Sequence, residues 1–309
     1  SLQAEPINQG DLRLRASGAQ LRDALISKLA AQGSLPLPFY PDLARTDDPA
    51  SGFLLTVYSP RFSTGYFPQR NRFTVLVETH SWKDYATRVR VTRNTIIGLV
   101  ELVFLHGEQW LREAGEADRA AAHLGGVEMT LDYSSSWREP AKAGQAASQP
   151  DDASSRTIEF RGYAYTRDLS PISGDLMTVY DPKTPRIWRV PFRDRVEASL
   201  VVRAPRGGYV VPAEHAETVG MKLTLHGIAF EPMGQPPGKA QVEEFRIARA
   251  QFSPEPFEGR QRVALSGEWR VTQRDVPPGS LFVPISQPRS RLIMALLEPQ
   301  APDSLAAWG

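Results

Sequence analysis

Val75-Leu76-Val77-Glu78-Thr79-His80-Ser81-Trp82 is a short apolar run that ends abruptly in a carboxylate and an imidazole. In a strand, Glu78 and His80 point to the same face, two residues apart. An ionised carboxylate beside the apolar residues 73–77 is costly to bury without a partner. Two readings follow. In the first, Glu78 pairs with an arginine such as Arg61, Arg72 or Arg88, and His80 makes a hydrogen bond. In the second, Glu78 stands at the C-terminal edge of a strand, where open α/β sheets place their ligands, and works as a general base.

Little else in the chain competes. There are five histidines, His80, His106, His123, His215 and His226, and none belongs to an H-x-x-E or H-E-x-x-H pattern. His106 with Glu108 and His215 with Glu217 place the acid two residues on, about 200° apart on a helix and so on opposing faces. The four histidines other than His80 are therefore read as surface or structural groups. No G-x-S-x-G elbow, phosphate loop or dinucleotide fingerprint is present. Cysteine is absent, which excludes disulfides and thiol chemistry. A net charge of +1, with basic residues interspersed among acids, gives no field for nucleic acid or an anionic membrane. No apolar run is long enough to span a bilayer.

The elements that must hold Glu78 read as α/β followed by all-β. Leu21, Leu25 and Leu29 recur every four residues, predicting a helix over 16–32 that ends at a left-handed Gly33. Residues 53–57 and 73–77 predict two short strands covered on both faces. A second helix is expected from about 92 to 112, with Ile96, Leu99, Val100, Val103 and Phe104 on one face. This pattern is one end of a layered α/β domain over 1–120. Beyond it, residues 139–155 read as a flexible loop. Alternating segments at 157–160, 198–202, 242–247 and 262–271, separated by Pro and Gly, predict strands. A short helix follows Pro212, over 213–225. Residues 121–309 are thus expected to form a β-rich accessory domain, an antiparallel sandwich.

The run TVYSPRFSTGYFPQRNRFTVLVETHSWKDYATRV, residues 56–89, resembles the C-terminal half of the zinc carboxypeptidases, the M14 metallopeptidases, and is most similar to bacterial members carrying ETHSxK after the last core strand. The likeness extends to VVPAEHAETVGMKLTLHGI, PFEGR, PPGS and LLEPQAPDSLAAWG, which resemble the C-terminal appendage of those proteins. The resemblance implies the C-terminal part of a carboxypeptidase-like α/β/α layered domain, with Glu78 as general base and proton shuttle. It implies hydrolysis of C-terminal bonds in a peptide substrate, zinc as the metal, and export to the periplasm or beyond. The family's mobile tyrosine, which closes over the substrate, has two candidates here, Tyr58 and Tyr66.

One departure is large. The family's zinc ligands are an H-x-x-E pair and a further His, all upstream of the helix at 16–32, yet no His precedes His80. The groups that grip the substrate carboxylate belong to the same missing half. The chain opens on Ser1-Leu2-Gln3 without Met and stops at Trp308-Gly309. The expectation is therefore the C-terminal portion of a longer enzyme, with the N-terminal half as its partner, carrying the base without the metal. The rival is a non-catalytic module that binds a peptide or cell-wall ligand on a carboxypeptidase-like remnant.

Overall fold

The computed structural model describes residues 1–135, 155–234 and 239–308. Most of the loop expected at 139–155 lies outside these residues. The elements run β1 (Leu2–Glu5), α1 (Leu12–Ala31), β2 (Asp42–Leu43), β3 (Phe53–Leu54), α2 (Ser63–Gln69), β4 (Thr74–Val77), α3 (Tyr85–Ala121), β5 (Glu128–Ser135), β6 (Arg156–Leu169), β7 (Leu176–Arg193), β8 (Val196–Arg203), β9 (Gly208–Val211), α4 (Ala216–Leu225), β10 (Glu231–Pro232), β11 (Ala240–Phe252), β12 (Val263–Arg274), β13 (Leu281–Pro284), α5 (Ser290–Leu297) and α6 (Leu305–Trp308). The content is mixed α and β, with the strands divided among several small sheets.

α1 starts where Asp11 accepts the Arg13 amide at 3.0 Å, satisfying one of the free donors of the first turn. It ends at Gly33, whose φ of 80° is the left-handed conformation a C-terminal glycine supplies. Leu21, Leu25 and Leu29 are buried in one cluster with Leu2, Leu102 and Trp110, so α1 packs between β1 and α3. Leu25→Ala removes a fully buried side chain from that cluster. It is expected to cost about 2–5 kcal/mol, read as a lower denaturant midpoint with unchanged slope.

α3 differs from its expectation in length and in orientation. It runs from Tyr85 to Ala121 because Asp84 accepts the Thr87 amide at 2.8 Å and starts the helix a full two turns early. The residues turned inward are Thr95, Gly98, Leu102, Trp110 and Ala114. Ile96, Val100, Val103 and Phe104 lie on the outer side, Phe104 with 88% of its surface exposed. The cause is close packing. A Cβ on Gly98 would stand 3.0 Å from the Leu25 side chain, so this small-residue face is the one that admits α1.

The strands are shorter than their apolar runs. β3 covers only Phe53–Leu54, antiparallel to β2 and parallel to β7. β4 pairs antiparallel with β1, Leu2 opposite Val77 and Ala4 opposite Val75. Its residues are all half-buried rather than enclosed on both faces. The order β2-β3-β7-β6 joins strands from both sides of residue 120 in one sheet. Phe39, Phe53, Val190 and Phe192 make its core.

Beyond β5 the strands form hairpins and pairs. β6 and β7 make a long antiparallel ribbon, β11 and β12 a second, and β5 pairs with β8. The largest core gathers around α5, whose Leu292, Ile293 and Met294 are fully enclosed by α3, β5, β9, α4 and β13. α5 has no counterpart in the sequence reading, although six of its eight residues, Leu292 to Leu297, are apolar.

Candidate functional site

β4 delivers Glu78. Along it, Phe73 and Val75 pack toward α1 and Trp110. Thr74 and Leu76 take the opposite face, and Glu78 continues that alternation. Its amide donates to the Ser1 carbonyl at 2.9 Å, so the pairing with β1 extends one residue past the strand. The side chain is exposed. None of the three arginines weighed as partners forms an ion pair with it. Arg61 pairs with Glu258 at 3.2 Å and Arg72 with Asp118 at 2.8 Å. The Arg88 guanidinium donates to the Thr79 hydroxyl at 3.5 Å. An exposed carboxylate needs no partner to remain ionised, so the cost that motivated the pairing does not arise.

His80 is also exposed, and its ring organises the turn. The Trp82 amide donates to His80 Nδ1 at 3.1 Å, and the Lys83 amide donates to the His80 carbonyl at 3.1 Å. Partial burial and the Lys83 ammonium pull the imidazole below its usual range. The neutral ring with its proton on Nε2 is the form that accepts the amide. His80 therefore supports the loop 78–84.

The two tyrosines are placed apart. Tyr58 donates to Asp42 Oδ2 at 2.5 Å and packs against Tyr40 and Phe62, with ring centroids 6.0 and 5.1 Å away. Burial, followed by the Asp42 carboxylate, raises its phenol far above the usual tyrosine range. Tyr66, on α2, pairs with His226 Nδ1 at 3.0 Å and accepts from the Arg70 guanidinium at 3.3 Å. Burial, then Arg70, Lys222 and Arg289, lowers His226, so this contact ties α2 to the end of α4 through a neutral imidazole. No hydrogen bond joins Glu78 to either phenol among the described residues. The other histidines expected to be structural include His123, whose Nδ1 meets the Arg119 carbonyl at 2.8 Å, and His106, tilted against Trp110 with ring centroids 5.7 Å apart.

Two hollows flank these elements. One, of about 520 Å³, begins at Thr79 and runs along α3 past Tyr85, Arg88, Val89, Arg93 and Ile96. An apolar wall with two guanidiniums is chemically suited to an anionic group carried on an apolar body. The other, of about 480 Å³, is polar and holds Asp48 between Arg45 at 2.7 Å and Arg167 at 3.6 Å. Among the described residues, no three His, Cys, Asp or Glu side chains converge on a point that could hold a metal ion. The residues present do not fit zinc, and no chemical step through zinc follows from them.

No family model, curated protein or solved structure matches the chain.

Sequence reasoning passed over Trp82, although it lies four residues after Glu78. Its ring is 51% exposed and packs against Tyr163 and Tyr180 of the β6–β7 ribbon, with centroids 5.4 and 5.7 Å away. A contact spanning some eighty to one hundred residues leaves no local periodicity by which to find it. Among the described residues no helix is long and apolar enough to cross a membrane.

Proposed function

We propose that this chain is the base-carrying half of an M14-type zinc carboxypeptidase that releases C-terminal residues from peptides. The observation that carries the reading is Glu78: an exposed carboxylate immediately after the apolar strand β4, in no ion pair with an arginine or lysine among the described residues. It stands where the resembling motif ETHS places the family's general base. In this role the Glu78 carboxylate takes a proton from the attacking water and passes it to the leaving amine. The zinc ligands come from a segment outside this sequence, since no H-x-x-E occurs in it. On this reading residues 1–120 are the C-terminal portion of an α/β/α layered domain and 121–309 a sandwich-like appendage. The partner is the zinc-binding half, the substrate a peptide, and the compartment the periplasm or outside the cell.

The test is mass spectrometry of peptides incubated with the chain joined to its zinc-binding half. Stepwise loss of single C-terminal residues, blocked by amidating the peptide C-terminus, is the expected result. Internal cleavage, or none, would end the carboxypeptidase reading.

A second reading has a separate observation behind it. Trp82, four residues after Glu78, forms with Tyr163 and Tyr180 a half-exposed aromatic cluster, which suits retention of a peptide or cell-wall ligand. Binding of such a ligand that is unchanged in Glu78→Gln, with no cleavage by the joined halves, favours this alternative.

A further inference from the structure

We infer that the β6–β7 ribbon is a working part of the site, a latch that holds the loop 78–84, and with it the Glu78 carboxylate, through the Trp82 side chain. This deepens the general-base reading and rests on it for its catalytic consequence, but the latch itself is a matter of geometry.

The loop has few fastenings of its own. The amides of Trp82 and Lys83 both return to His80, and Arg88 reaches Thr79 only at 3.5 Å. These bonds shape the turn, while Glu78 at its start is held to β1, its amide donating to the Ser1 carbonyl at 2.9 Å and its carbonyl accepting from the Ser1 ammonium at 2.7 Å. Beyond Glu78 the outside anchor is aromatic. Trp82 lies against Tyr163 and Tyr180, and its ring also meets the His80 ring edge-on at 5.3 Å. Such contacts are each worth a modest amount and are directional, which suits holding a loop in one geometry.

The ribbon is built to present those two rings. Trp188 crosses over Gly162, where any Cβ would lie 2.2 Å from the indole, and its Nε1 donates to the Tyr163 carbonyl at 2.8 Å. Between Tyr163 and Ala164 the register slips, Tyr163 opposing Pro185 while Ala164 opposes Asp181. Bulges of this kind re-aim side chains. Asp181 stabilises the slipped segment by accepting the Lys183 amide at 3.0 Å and the Thr184 hydroxyl at 2.6 Å. Tyr180 is in turn packed against Tyr165 and Trp188, at 6.1 Å in both cases.

The ribbon is fixed to the α/β elements at two further places. Its base pairs with β3, Phe192 opposite Phe53. Further along, the Thr178 amide and hydroxyl donate to the Asp47 carboxylate and carbonyl at 2.6 and 2.5 Å. It therefore approaches Trp82 as a held arm rather than as a loose hairpin. Trp82 acts through Glu78 and is a positioning residue.

The experiment is hydrogen exchange on the 309-residue chain, comparing Trp82→Ala, Trp82→Phe and the double variant Tyr163→Ala/Tyr180→Ala. The latch predicts about tenfold faster exchange of the Trp82 and Lys83 amides in Trp82→Ala, in line with losing aromatic pairs of ordinary strength. It predicts the same loosening in the double variant, and recovery in Trp82→Phe. In the preparation joined to its zinc-binding half, Trp82→Ala should lower kcat by up to about 10²-fold with little change in KM, because the base is misplaced rather than removed. Unchanged exchange in both Trp82→Ala and the double variant would overturn the latch. If exchange rises as predicted while Glu78→Gln retains full turnover, the latch stands and the general-base reading fails. If Glu78→Gln abolishes turnover and Trp82→Ala alters neither exchange nor kcat, the reverse holds.

Discussion

Glu78→Gln is expected to abolish peptide turnover by the chain joined to its zinc-binding half, a fall of about 10²–10⁴-fold or more in kcat. Glutamine is nearly isosteric with glutamate and keeps a hydrogen-bonding oxygen, but it cannot accept the water's proton at neutral pH. The carboxylate is exposed and makes no side-chain ion pair among the described residues, so the replacement leaves no buried partner unsatisfied. Folding stability should therefore change by no more than about 0.5 kcal/mol, and a thermal melt separates a chemical effect from a structural one. Zinc bound by the joined preparation should also be unchanged, because the proposed reading places the ligands outside this chain. Retained turnover in Glu78→Gln would remove Glu78 from the role.

A large effect on stability is expected at Arg291→Ala. Arg291, from α5, donates to Asp11 Oδ2 at 3.0 Å; the Asp11 side chain is buried, with 3% exposed, and that of Arg291 largely so, with 14% exposed. Asp11 also caps α1, so one carboxylate fastens the start of the α/β elements to the helix at the centre of the C-terminal core. Removing the guanidinium leaves the buried carboxylate with the half-exposed Arg13 guanidinium, 3.0 Å away, as its remaining counter-charge, so the cost is expected at the low end for a broken buried pair, about 3 kcal/mol. Replacing both partners together, as Asp11→Asn with Arg291→Met, should cost much less, which a double-mutant cycle by urea unfolding will read.

The pH dependence has a definite sign. Burial pushes the Asp11 carboxyl up, but the Arg13 amide and the Arg291 and Arg13 guanidiniums outweigh it and hold the group below the usual carboxylate range. A depressed carboxyl contributes stability that is present above its unfolded value and lost as pH falls through the folded one. The difference between wild type and Arg291→Ala should therefore be widest near neutrality. It should narrow as acid protonates Asp11.

Local signals were legible. The leucine repeat with Gly33 fixed α1 within a few residues, and the switch from helices to short alternating strands after residue 125 matched the appearance of small sheets. The failures share a physical cause. The outer face of α3 is the more hydrophobic, so periodicity selected Ile96, Val100, Val103 and Phe104. Packing instead selected the smaller face around Gly98, where two helices can approach closely. The partners of Glu78 were sought among arginines nearby in sequence, whereas Arg61 and Arg72 were engaged by Glu258 and Asp118. The parallel pairing of β3 with β7 and the Trp82 contacts join residues more than eighty positions apart. Pattern reading within a window cannot reach them.

At the candidate site, the strand-ending carboxylate was visible in VLVETHSW, and the role of His80 as the loop's internal acceptor was not. That role depends on the Trp82 amide turning back to Nδ1, a feature of the turn's backbone rather than of residue type. Tyr58 and Tyr66 were put forward as rival candidates for the mobile tyrosine that the carboxypeptidase resemblance implies. Their hydroxyls are engaged by Asp42 and His226, which sequence spacing does not disclose.

The central claim is that this chain brings the base of a zinc carboxypeptidase without the zinc. Its most direct test is the zinc content of the purified 309-residue chain, by elemental analysis after exhaustive dialysis. The account predicts zinc near zero per chain. One zinc per chain would contradict it, and would assign His80 or its neighbours to a metal site that their arrangement here does not form.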